Sequence, residues 1–124
     1  MAKANIEEII IDGKTYVPKN ELQPAEKLDG MEYVLVRGDR SGVFTGYLES
    51  KKDREVILRQ ARRIWYWDGA SSISELAEEG TSKPENCKFP KAVSRIQILD
   101  TIEIIPCTET ARKSIQSVKI WSQK

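Results

Sequence analysis

The chain has 124 residues, 40% of them hydrophobic and 31% charged, with a formal net charge of +1, values that suit one globular domain with a modest core. So even a balance excludes a global field pulling the protein toward nucleic acid or membrane, and any anion site must come from local clustering. Histidine is absent, which removes the commonest general base, the Ser-His and Cys-His dyads and most catalytic zinc sites.

No apolar run approaches the ~20 residues of a membrane span, and "MAKANIEE" lacks the apolar stretch of a signal peptide. A cytoplasmic protein is expected. Cys87 and Cys107 have no second Cys or His at metal-ligand spacing. They read as buried free thiols, and neither a metal nor a cofactor is expected.

In chain order, "IEEIIIDGKTYVPK" carries two short β-rich runs around Asp12-Gly13, a favoured hairpin turn. Residues 19–30 are polar, contain Pro24 and Gly30, and read as a linker with room for one helical turn. From Met31 the pattern becomes β. "MEYVLVRG" alternates Tyr33, Leu35 and Arg37 on one side with Val34 and Val36 on the other. "GDRSG" is turn chemistry and "VFTGYLES" a second strand. "REVILRQ" and "RRIWYW" continue as strands, with a bulge or bend at Gln60-Ala61.

After Asp68-Gly69 the period changes. Ser72 and Glu75 fit a capping box, Ile73, Leu76 and Ala77 supply an apolar side, and Gly80 is placed to end the helix. "AVSRIQIL" and "TIEIIP" read as two more strands turning at Leu99-Asp100. Thr108 caps a last helix whose apolar stripe is Ala111, Ile115 and Val118. The expected fold is α+β: an antiparallel meander with short helices near 72–79 and 109–118. Residues 1–30 form a hairpin and linker, and residues 31–124 a single domain.

Two candidate sites stand out. Arg59, Arg62 and Arg63 lie beside Trp65 and Trp67. Guanidinium groups bind phosphate through paired hydrogen bonds, and aromatic faces stack on bases at about 1–3 kcal/mol each. The same residues would also serve as core plus subunit interface, because on a strand Ile64 and Tyr66 would face one way and both tryptophans the other. In "PCTETARKS", a helix N-terminus with Thr108 and Arg112 suits an anion, although Glu109 opposes one. "RGD" at residues 37–39 reads as a hairpin turn, and phosphate-loop glycine motifs are absent.

The markers "RRxWYWxGA" (62–70), "KPxxCKF" (83–89) and "EIIPCT" (103–108), within residues 31–121, resemble a family of small phage and prophage proteins of unknown function. Size and layout also resemble phage anti-Thoeris sponges, oligomers that sequester cyclic ADP-ribose signals and in some cases cyclic oligonucleotides. The resemblance implies a non-enzymatic counter-defence protein acting in the cytoplasm of an infected host. Its partners would be a small phosphorylated nucleotide and further copies of itself, not nucleic acid or membrane. The resemblance carries over no site residue; the ligand set expected from the residues themselves is Arg59, Arg62, Arg63, Trp65, Trp67, Thr108 and Arg112. The alternative is a phage protein-interaction or virion-associated module docking through its Trp-rich face.

Overall fold

The computed structural model describes residues 9–11, 14–16 and 23–123. Strands β1 (Ile9–Ile11) and β2 (Lys14–Tyr16) pair antiparallel with Ile11 opposite Lys14, as the two-residue hairpin requires. The Asp12-Gly13 turn itself lies outside the described residues, as do residues 19–22 of the expected linker. Residues 23–30 contain no helix. They run against the main body instead, with Ala25 N–H donating to the Cys107 carbonyl and Glu109 N–H to that of Gln23.

The main body is an α+β fold. Strands β3 (Tyr33–Gly38), β4 (Val43–Lys52), β5 (Glu55–Arg63), β6 (Val93–Ile98) and β7 (Thr101–Pro106) form one antiparallel sheet in the order β6-β5-β4-β3-β7. The first four make the expected meander. The fifth departs from it, because β7 crosses to the far edge and pairs with β3.

That crossing dictates the shape. In a flat sheet the two edges would stand about 19 Å apart, four spacings of about 4.8 Å. Residues 98 and 101 belong to opposite edges, yet three peptide steps span at most about 11 Å. The sheet must therefore curl toward a barrel. Hydrogen bonds at the junction agree: Thr101 N–H donates to the Arg54 carbonyl, just before β5, while Thr101 pairs with Gly38 at the end of β3.

Bulges permit the bend. Tyr47 pairs with Arg59 and Thr45 with Arg62, so Gly46 faces two residues, Gln60 and Ala61. Gln60 has a φ of 52°, the left-handed conformation expected of an inserted residue. A side chain on Gly46 would place its Cβ 3.0 Å from the Arg59 carbonyl oxygen. The bulge read from the sequence is present, but "RRIWYW" is not a strand. Only Arg62 and Arg63 stay in the sheet, and Tyr66 keeps a single bridge to Lys88.

Curling gives two cores. Val34, Val36, Phe44, Val56, Leu58, Ala61 and Ile98 fill the inside of the curl. Tyr33, Leu35, Tyr47, Ile64 and Phe89 pack outside it, beneath α1 (Ile73–Glu79) and α2 (Glu109–Ser117). Thus β3 is buried on both faces. Ser72 caps α1 by accepting from Glu75 N–H, but the Glu75 carboxylate reaches back to Ser71 N–H, one residue earlier than a capping box has it. Gly80 ends α1 at a φ of 78°, where a Cβ would stand 2.4 Å from that of Ser114. Its glycine allows the two helices to meet. Among the described residues, no helix is long and apolar enough to cross a membrane.

Candidate functional site

The bulge at Gln60 also decides where the arginines of β5 point. Val56 and Leu58 face the inside of the curl, and after the extra residue Ala61 does so too. Alternation then sends Arg62 outward under the helices and Arg63 back toward the curl. Adjacent residues thus reach different environments.

Arg62 is only 8% exposed. Its guanidinium donates to three carbonyls: Nε to Pro90 at 3.2 Å, Nη1 to Ile115 at 3.0 Å and Nη2 to Phe89 at 3.1 Å. The Phe89 ring lies 5.5 Å away. Burial lowers its pKa from the ordinary arginine value, yet arginine remains charged in proteins. No carboxylate pairs with it among the described residues.

This cation lines a cavity of about 380 Å³ with Tyr33, Tyr47, Gln60, Gln116 and Ile120. Tyr33 and Tyr47 meet edge to face at 5.0 Å. The Tyr33 hydroxyl donates to Thr45 Oγ1 at 3.0 Å, and burial raises its pKa so that it stays a neutral donor. Gln116 donates to the Tyr47 hydroxyl at 3.3 Å and accepts from Arg112 Nη1 at 2.9 Å. The cavity combines a positive floor, aromatic walls and two side-chain amides at an exposed rim. Those groups can hold an anionic, aromatic ligand.

The remaining expected residues disperse. Arg112 is clamped by Glu109, lies near Glu26 and donates to Gln116 at the cavity rim, but does not itself line the cavity. The clamp lowers the Glu109 pKa to about 2, chiefly through the Arg112 hydrogen bonds, with Glu26 N–H adding to them. Thr108 is buried, accepts from Ala111 N–H and donates to the Glu78 carbonyl. Its own N–H donates to the Ala77 carbonyl. The start of α2 therefore rests on α1, and Thr108 acts there as a cap. Arg59 pairs with Glu49, which also holds Arg95. Arg63 stacks on Phe44 at 4.4 Å and donates to the Ser41 carbonyl.

The tryptophans part as well. Trp67 packs against the helix-covered core and donates its indole N–H to the Ala70 carbonyl. Trp65 is 60% exposed and stacks on Trp121 at 5.3 Å and 12°. The Lys88 ammonium stands 5.7 Å from the rings of Trp65, Tyr66 and Trp121 alike. Sequence reasoning missed Tyr33, Tyr47, Gln60 and Gln116 as one cavity set, and Lys88 and Trp121 as the companions of Trp65. Nothing local groups them, because the cavity residues come from β3, β4, β5 and α2. The expectation that Trp65 and Trp67 share one side depended on strand geometry that ends at Arg63.

Both cysteines are buried free thiols, and burial pushes the Cys107 pKa up to about 12. A thiol so shielded is a poor nucleophile. Among the described residues, no group of three or more His, Cys, Asp or Glu side chains is placed to hold a metal.

A family model described as Domain of unknown function (DUF6948) matches residues 31–115. No curated protein and no solved structure matches the chain.

Proposed function

The chain belongs to the DUF6948 family, and we propose that it is a non-enzymatic binding protein that sequesters a small phosphorylated nucleotide. A cyclic nucleotide signal of the cyclic ADP-ribose type fits this role, in a phage protein that counters host defence. One observation carries the reading: the buried Arg62 charge has no carboxylate partner among the described residues and faces a 380 Å³ cavity walled by tyrosines. A ligand phosphate would supply the missing negative charge, a base would lie against Tyr47, and the amides of Gln60 and Gln116 would read its edge. Sequestration needs affinity and shelter, not a proton-transfer group, so the lack of histidine is no handicap. Of the residues first expected to bind ligand, Arg62 remains the central one in this reading.

Thermal unfolding with adenosine monophosphate, cyclic ADP-ribose isomers and cyclic di- and trinucleotides tests it. Binding raises stability by RT ln(1 + [L]/Kd), about 4 kcal/mol at a thousandfold excess over Kd. A rise of several degrees is expected with at least one of them, and heating should return that ligand intact. Gln116→Ala should abolish the rise without unfolding the protein, since Gln116 is exposed. No shift across the panel would refute the reading, and a cleaved ligand would make the protein an enzyme.

A second reading rests on a different surface. Trp65, Tyr66 and Ile120 are 60%, 48% and 61% exposed, and Trp65 stacks on Trp121; exposed apolar groups gathered in this way mark docking sites. Docking of another protein, or of further copies of this chain, would cover them.

A further inference from the structure

Away from the nucleotide cavity, the curl of the sheet stays open along β6. This strand is an edge, and its backbone bonds run to β5 alone among the described residues. Two hollows of about 100 and 520 Å³ follow it and share Phe44, Arg63 and Ile96 as lining. The larger one is bordered by the consecutive residues 96–99. Successive strand residues point to opposite faces, so a hollow touching Ile96, Gln97 and Ile98, the last three residues of β6, borders the backbone edge itself.

The seam has a definite chemistry. Arg63, Arg40 and Lys91 border it, and none has a carboxylate partner among the described residues. Its one acid, Asp100, is already engaged: Oδ2 accepts from Arg40 and Ser41 N–H, and Oδ1 from the Ser41 hydroxyl. These bonds, led by that of the Ser41 side chain, lower the Asp100 pKa. Beneath the cations the floor is apolar, with Phe44 and Ile96, and Val93 and Leu99 stand 49% and 63% exposed at its ends. A bare strand edge beside apolar hollows, under unpaired cations, has the parts of a strand-addition site. Main-chain pairing gives affinity, and pockets take alternate side chains.

We propose that this seam binds an extended segment of a partner protein, about six residues of alternating acidic and apolar side chains, which pairs with β6 as a further strand. The apolar residues enter beside Phe44 and Ile96, and the carboxylates meet Arg63, Arg40 and Lys91. The occupant is acidic because the charge left over in the seam is positive.

Binding of a short capped peptide alternating glutamate and valine to the full-length protein, followed by fluorescence anisotropy, tests this. It should bind, and the lysine–valine counterpart should bind at least tenfold more weakly. Methylating alternate backbone nitrogens should abolish binding in one parity and spare it in the other, since only one set faces the strand edge. Arg63→Glu and Lys91→Glu should each weaken binding at least tenfold while the protein stays folded, with melting temperature lowered by no more than a few degrees, and Gln116→Ala should have no effect. Equal binding of the basic peptide, indifference to methylation in both parities, or no binding would overturn the proposal. Self-association that Arg63→Glu abolishes would also overturn it, by assigning the edge to a second copy of the chain.

Discussion

The helix-covered side of the sheet and the open seam along β6 treat two neighbouring arginines in opposite ways. Arg62 lies under the helices, with donors on three carbonyls from the β6 approach and α2. Arg63 lies at the seam, stacked on Phe44, with one bond to Ser41. The first is part of the framework that joins the long β5–β6 connection to the last helix. The second is surface charge with no carboxylate partner among the described residues. Residue type predicts neither role. What separates them is one step of strand alternation, displaced by the bulge at Gln60.

The largest test of the contrast is Arg62→Ala. Three carbonyls would lose a charged donor and a cavity would open beneath α2, so stability should drop by about 3–5 kcal/mol. Chemical denaturation followed by circular dichroism checks this, and a loss below about 1 kcal/mol would mean that Arg62 does not brace the helices. Acid provides an intermediate test on the same side. The Glu109 carboxyl is held near 2 by Arg112, below its usual value of about 4.3. A depressed pKa contributes stability that is fully present above the unfolded value and lost as pH falls toward the folded one. The melting temperature of Glu109→Gln should therefore lie below that of the parent at pH 7, and the gap should close between about pH 4.3 and 2. A gap that persists at pH 2 would point to packing rather than charge. The smallest effect belongs to the seam: Arg63→Ala should cost under about 1 kcal/mol, since its guanidinium is exposed. If it matched Arg62→Ala, the contrast between the two sides would fail.

Much of the fold was legible in the chain because its signals are local. Alternation marks β3, Ser72 and Thr108 mark the helix starts, Gly80 marks a stop, and Gln60 marks the bulge. The site was less legible. Arg62 stood among the candidates for its charge, but its partners at residues 89, 90 and 115 are distant in sequence. Gln116 gave no signal beyond an exposed position on a helix. Thr108 and Trp67 drew attention for chemistry they devote to the fold, one capping α2 against α1 and the other bonding Ala70.

By itself, then, the sequence determined most of the elements, though not where β5 ends: hydrophobic period, turn residues and caps act over a few residues and need nothing distant. Tertiary structure alone decided that β7 crosses to β3, because pairing of edges depends on which faces must be buried together. It also decided that Trp65 stacks on Trp121 rather than beside Trp67, since the chain leaves the sheet after Arg63. The fate of each arginine was settled the same way. A long, charged side chain takes its role from the carbonyls, carboxylates and solvent that the fold brings within reach of its tip.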